Sequence, residues 1–105
     1  MTANFVNCTP HDIKFNDGTI FPKSGINARV SASFSDITDF ICDQVFGEVQ
    51  DLPNPVEGTF FIVSAMVLTA AKIQGRTDCV APATGHPLVI RNEAGHIVSV
   101  PCFVR

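Results

Sequence analysis

Thr59-Phe60-Phe61-Ile62-Val63-Ser64-Ala65-Met66-Val67-Leu68-Thr69-Ala70-Ala71-Lys72-Ile73-Gln74-Gly75 holds two patterns that meet at Ser64. Thr59 to Val63 is β-branched and aromatic, as a buried strand requires, whereas Ala65 to Ile73 is rich in helix formers. The junction predicts a strand feeding directly into a helix. Ser64 is a suitable N-cap and Gly75 a suitable stop, although no Glu or Gln stands where a capping box needs one. The helix is apolar nearly all the way round. It is therefore expected to be covered on several sides by its own sheet or packed against another copy of itself.

Toward the amino terminus the chain reads as short strands and turns. Asn4 to Cys8 is a strand stopped by Thr9-Pro10, and Ile13-Lys14-Phe15 runs through the turn signal Asn16-Asp17-Gly18 into Thr19-Ile20-Phe21. Lys23-Ser24-Gly25 makes a second turn. Ala28 to Phe34 alternates, with Ala28, Val30, Ala32 and Phe34 expected on the core face and Arg29, Ser31 and Ser33 off it. Ser35 to Asp43 is expected to be irregular, because Ile37, Phe40 and Ile41 fit helical spacing while the local propensities favour strand. Val45 to Val49 reads as a strand, and the two prolines of Leu52-Pro53-Asn54-Pro55 exclude regular structure.

Beyond the helix, Cys79 to Ala81 is a short strand ending at Pro82. Leu88 to Arg91 and His96 to Val100 form a hairpin around the turn Asn92-Glu93-Ala94-Gly95. No repeat, linker or composition shift divides the chain. The reading is one α+β domain over 1–105, mostly antiparallel sheet with one main apolar helix, assembled as an oligomer.

Composition narrows the function. The apolar share of 46% is enough for a core, and the 16% of charged residues with a net charge of −3 leave no broad electrostatic footprint for duplex nucleic acid or an anionic membrane. Any anion must be held by a few placed cations. Those available are Lys14, Lys23, Lys72, Arg29, Arg76, Arg91 and Arg105. Cys8, Cys42, Cys79 and Cys102 include no Cys-x-x-Cys pair, and the opening Met1-Thr2-Ala3-Asn4 lacks the basic and apolar regions of a signal peptide. Reduced thiols and a cytoplasmic location are expected. No apolar stretch approaches the ~20 residues that span a bilayer.

The candidates for chemistry are sparse. His11, His86 and His96 have no second ligand at metal spacing, so no metal or other cofactor is expected. Cys79 follows Asp78 and precedes His86 by seven residues, a faint sketch of a nucleophile with its base; packing explains the thiol more economically. Thr9-Pro10-His11-Asp12 is either a rigid turn facing water or the rim of a pocket to which His11 lends a hydrogen bond. No phosphate-binding glycine loop is present, although the backbone donors after Ser64 have the chemistry to hold an anion. The arginines are the stronger lead, because a guanidinium reads phosphate with paired donors and stacks on flat rings.

One family resemblance runs along nearly the whole chain. Thr9-Pro10-His11 after an opening strand, Gly25-x-x-Ala28-Arg29-Val30, Phe46-Gly47-Glu48-Val49-x-x-Leu52-Pro53, Glu57-Gly58-Thr59-x-x-Ile62-Val63-Ser64, Arg91-Asn92-Glu93-Ala94-Gly95-x-Ile97 and Arg105 together resemble small phage proteins. Among these the chain is most similar to the first class of Thoeris anti-defence proteins. The resemblance implies an α+β homo-oligomer that binds cyclic ADP-ribose-type signals, with cyclic oligonucleotides as a further class, and sequesters them without cleavage in the host cytoplasm. It implies a ligand site drawing on Arg29, Arg91, Asn92 and Arg105, with His11 and Thr84 completing the candidate set. The family's aromatic contact to the base has no counterpart in Val80-Ala81-Pro82-Ala83-Thr84. The alternative is a small phage or bacterial interaction protein that oligomerises through its apolar helix and has no specific nucleotide ligand.

Overall fold

The computed structural model describes residues 3–105. Its central feature is a four-stranded sheet in the order β1 (Asn4–Asn7), β6 (Thr59–Ile62), β7 (Cys79–Pro82), β10 (Phe103–Val104). β6 runs parallel to both β1 and β7, and only the β7–β10 pair is antiparallel. The remaining strands form three antiparallel pairs: β2 (Ile13–Lys14) with β3 (Ile20–Phe21), β4 (Ala32–Phe34) with β5 (Gln44–Phe46), and β8 (Ile90–Arg91) with β9 (Ile97–Ser99). The class is α+β with a single helix among the described residues, as expected. The expectation of a mostly antiparallel sheet holds for the small sheets, while the main sheet is mixed.

The single helix, α1 (Ala65–Ile73), connects β6 to β7, which is why those strands are parallel: a connection of this length can return the chain to the end at which it started. Ser64 caps it, its Oγ accepting the Val67 amide at 3.3 Å. At the other end the Gly75 amide donates to the Lys72 carbonyl and the Arg76 amide to the Ala71 carbonyl. That paired closure needs a left-handed residue, and Gly75 supplies it with φ 91°.

Side-chain alternation along the central strands builds two cores. Phe61, Val63, Cys79 and Ala81 face α1 and pack with Cys8, Ala28, Val67, Leu68 and Ala71. Ile62 and Val80 face the opposite way, against Ile13 and Val100 from the two hairpins. Around this second core Phe5, Phe15, Phe21, Phe60 and Phe103 pack with ring centroids 4.8–5.7 Å apart. β6 is thus covered on both faces, which explains its unbroken apolar run.

α1 buries Val67, Leu68, Ala70 and Ala71 on its own sheet and leaves Met66 and Ile73 exposed, so the sheet covers one side of its apolar circumference. One expectation requires correction. The alternating face that starts with Ala28 stays inside only as far as Val30; Ala32 and Phe34 are exposed, because there the chain leaves the body as the β4–β5 ribbon. Ser35 to Asp43, expected to be irregular, closes that ribbon. Its end is a tight turn in which Thr38 and Ile41 exchange backbone hydrogen bonds of 2.8 and 2.9 Å. With this projection the molecule measures 46 × 39 × 23 Å. No helix among the described residues is long and apolar enough to cross a membrane.

Candidate functional site

The parallel pairing of β1, β6 and β7 brings their carboxyl ends to one edge of the sheet, the usual place for ligands in sheets of this kind. A crevice of about 550 Å³ opens there. Thr9, Pro10 and His11 reach it from the end of β1, Ser64 and Ala65 from the end of β6, and Pro82 and Thr84 from the end of β7. Ile97, Val98, Ser99 and Val100 close the far wall, and Asp12, Ile13 and Lys14 complete the lining. The volume lies within the roughly 300–1,000 Å³ of small-molecule sites.

The lip carrying His11 is fixed from below by Asn7, which is only 3% exposed. Asn7 Nδ2 donates to the carbonyls of His11 and Phe21 at 2.8 and 2.9 Å. Its Oδ1 accepts from the Thr9 amide at 3.0 Å and the Thr9 hydroxyl at 2.7 Å. A buried amide with all these bonds made leaves the Thr9-Pro10-His11 backbone one available geometry, so a ligand meeting it finds a rim that needs little ordering. Asp12 is held as well, one carboxylate oxygen accepting the Lys23 amide at 2.9 Å.

The polar groups at the crevice suit an anionic or polyhydroxylated ligand. Ser64 Oγ uses an acceptor site for the helix cap and keeps its proton free to donate. The amides of Ala65 and Met66, in the first turn of α1, have no intrahelical acceptor by helix geometry, and the helix dipole adds partial positive charge. Thr84 adds a hydroxyl, and His11 and Lys14 are exposed at the edge. Ile97 and Val98 supply an apolar wall for a flat ring.

The remaining candidates from the sequence lie elsewhere on the chain. Arg29 Nη2 contacts Asp51 Oδ2 at 3.2 Å, and the two line a separate depression with Gly25, Ile26, Asn27, Leu52 and Pro53. Arg91 Nη1 donates to the Gly95 carbonyl at 2.8 Å, bracing the β8–β9 turn from within. Asn92 Oδ1 accepts the amides of Ala94 and His96, both at 3.0 Å, which makes it a turn former. Arg105 lines a third concavity with Lys72, Arg76, Thr77 and Cys79. Within one chain the structure brings His11 and Thr84 together and leaves Arg29, the pair Arg91 and Asn92, and Arg105 in three other places.

In the sketch of Cys79 with Asp78 and His86, Cys79 Sγ lies 3.8 Å from Asp78 Oδ1, and each of the three is otherwise engaged. Burial beneath α1, reinforced by the Asp78 carboxylate, pushes the Cys79 thiol up to about 11. Asp78 is gripped by Arg76, and His86 Nδ1 accepts the Leu88 amide at 3.0 Å. No cluster of three metal-ligating side chains occurs among the described residues.

Sequence reasoning missed Asn7 and the crevice itself. Asn followed two residues later by Thr-Pro is the pattern of a side chain turning back on its own backbone, and that signal was legible. The crevice depends on the parallel return of β7, which no local pattern encodes. The chain matches no protein-family model, no curated protein and no solved structure.

Proposed function

We propose that this protein is a non-catalytic binder that sequesters a nucleotide-type signal, with the crevice at the ends of β1, β6 and β7 as its ligand site. The observation that carries the reading is the convergence there of the Asn7-braced lip, the Ser64 end of α1 and Thr84 around about 550 Å³. Hydroxyls and helix amides would take phosphate oxygens, and Ile97 and Val98 a base or ribose face. A binder needs ground-state complementarity and no group reserved for a transition state. The family resemblance narrows the ligand to the cyclic ADP-ribose class, with cyclic oligonucleotides second, and the setting to a host cytoplasm under phage attack. In this proposal the protein is a homo-oligomer, and Arg29, Arg91, Asn92 and Arg105 act on the ligand from a neighbouring copy.

A second reading, an interaction protein with no nucleotide ligand, draws on the exposed apolar residues of the β4–β5 ribbon. One experiment separates the two. The protein is incubated with an extract containing nucleotide signals, freed of unbound ligand, heat-denatured, and the supernatant is assayed. Intact released signal supports sequestration, altered product points to an enzyme, and an empty supernatant leaves the interaction protein.

A further inference from the structure

The β4–β5 ribbon carries apolar side chains that no other described residue covers. Phe34 is 67% exposed, Ile37 76%, Ile41 68% and Val45 54%, and Phe40 at the tip is fully exposed. The register sets Phe34 opposite Gln44 and Val45 opposite Ser33, so both faces of the arm carry apolar side chains without cover, and exposed apolar surface of this kind marks an interaction site. The tip adds a second, independent sign. Asp39 and Phe40 have φ 51° and 66°, the left-handed geometry that two-residue hairpin turns demand and that Gly and Asn usually fill. A bulky aromatic there is strained, and no contact among the described residues offsets the strain.

We propose that this arm docks on a second copy of the chain, with Phe40 as its anchor and the outward face of α1 as its seat. Charge argues for this pairing. The arm bears Asp36, Asp39, Asp43 and Glu48 and no Lys or Arg between Ala32 and Glu48. The seat offers Met66 and Ile73, which share one helix face seven residues apart, beside a concavity lined by Lys72 and Arg105. Neither of these cations forms an ion pair among the described residues. An acidic apolar arm and a basic apolar seat on one chain are self-complementary.

Geometry agrees. Gln74, which ends α1, donates from Nε2 to the Gly47 carbonyl at 2.8 Å and accepts the Val49 amide at 3.4 Å, so the arm springs from the end of the helix that bears the seat. A twofold axis then lets each arm lie along the other copy's helix, and the contact closes on itself. Phe34 and Phe40 each bury about 150–250 Å² when covered. Reciprocal exchange of the two rings, with the opposing surfaces they cover, therefore reaches the roughly 1,200–2,000 Å² of stable interfaces.

This contact rests on the homo-oligomer of the sequestration reading; sedimentation of the full chain in nucleotide-free buffer reads the assembly alone, whereas the release assay reads sequestration, so the two failures are distinguishable. The unmodified chain is expected to self-associate at micromolar concentration. Phe40→Gly, which removes the anchor and relieves the turn, is expected to keep the circular dichroism of the fold and weaken association roughly a hundredfold or more. Lys72→Glu should weaken it by about tenfold. A chain that remains monomeric at high micromolar concentration overturns the proposal, as does association unchanged by Phe40→Gly. Loss with Phe40→Gly but none with Lys72→Glu overturns the seat.

Discussion

Arg76 holds Asp78 with two parallel contacts, Nε to Oδ1 and Nη2 to Oδ2, each at 2.9 Å. The same Nη2 donates to the Pro53 carbonyl at 2.9 Å, and the guanidinium lies 5.8 Å over the Phe61 ring. One side chain thereby ties the Leu52-Pro53 loop to the edge of the helix-side core.

Arg76→Ala should lower stability by about 2–4 kcal/mol in urea unfolding, since it leaves a largely buried carboxylate without its partner. The hydrogen bond from Arg76 holds the Asp78 carboxyl below its ordinary value of 3.8. A depressed folded pKa stabilises above the unfolded value and loses that contribution as pH falls through the folded one. The parent protein should therefore weaken below about pH 4 more steeply than Arg76→Ala does.

At the alkaline end the direction reverses. Burial raises the Cys79 thiol from 9.0 to about 11, and burial also raises Cys8. Between these values the unfolded chain releases a proton that the folded one keeps, so stability should fall as pH rises from 9.0 toward about 11. Unfolding followed across that window should show a shallower slope for Cys79→Ala than for the parent. An equal slope would remove Cys79 as its source.

Leu68 and Met66 lie on opposite sides of the question of what α1 does. Leu68 is 8% exposed and belongs to the helix-side core, whereas Met66 looks outward. Leu68→Lys should abolish folding, since it buries an unpaired ammonium. Met66→Lys should leave the melting temperature of the monomer nearly unchanged and act on self-association alone. Circular dichroism melts on both variants check the contrast.

How far the sequence could be read depended on whether a feature is local. β1, α1, the turn at Asn92 and the cap at Ser64 were legible because propensity and capping chemistry sit within a few residues. β10 escaped, because Phe103-Val104 is a strand only by virtue of Ala81 and Pro82 beside it. The arm escaped for another reason. Its alternation reads as a core strand, and only the whole fold shows that nothing lies beyond Val30 to receive Phe34. Of the candidate site, His11 and Thr84 are legible in the sequence, while Asn7 beneath them reads as part of a strand.

Asn7→Ala should destabilise by about 2–3 kcal/mol, because it strips partners from the Thr9 amide and the His11 and Phe21 carbonyls. It should also free the lip, so that amide exchange rises at Thr9 and His11 before it rises in β6. Exchange that rises uniformly would mean Asn7 supports the fold without fixing the rim.

Arg29 and Asp51 are both more than half exposed, so their pair contributes under about 1 kcal/mol and the guanidinium is available to a ligand. Arg29→Ala should leave unfolding nearly unchanged. In the sequestration reading it should weaken binding of a cyclic ADP-ribose signal roughly ten- to a hundredfold by calorimetry, with Arg29→Lys recovering part of the loss. Unchanged affinity in a folded Arg29→Ala protein would take Arg29 out of the site.

The register that sets Asn4 against Thr59 also governs the order of events during synthesis. A ribosome delivers β1 first, yet β1 has no strand to join until Thr59 to Ile62 has left the exit tunnel, and β6 in turn awaits β7. The β2–β3 and β4–β5 pairs can close early and locally, while the Phe5 and Phe21 rings wait for Phe60 and Phe103. The nascent chain thus carries the bare arm and half an aromatic core at the same moment. Slowing translation when the arm has emerged and Thr59 to Ile62 is still within the tunnel should prolong that interval and increase capture by chaperones, whereas slowing it while the arm itself is still inside should matter little.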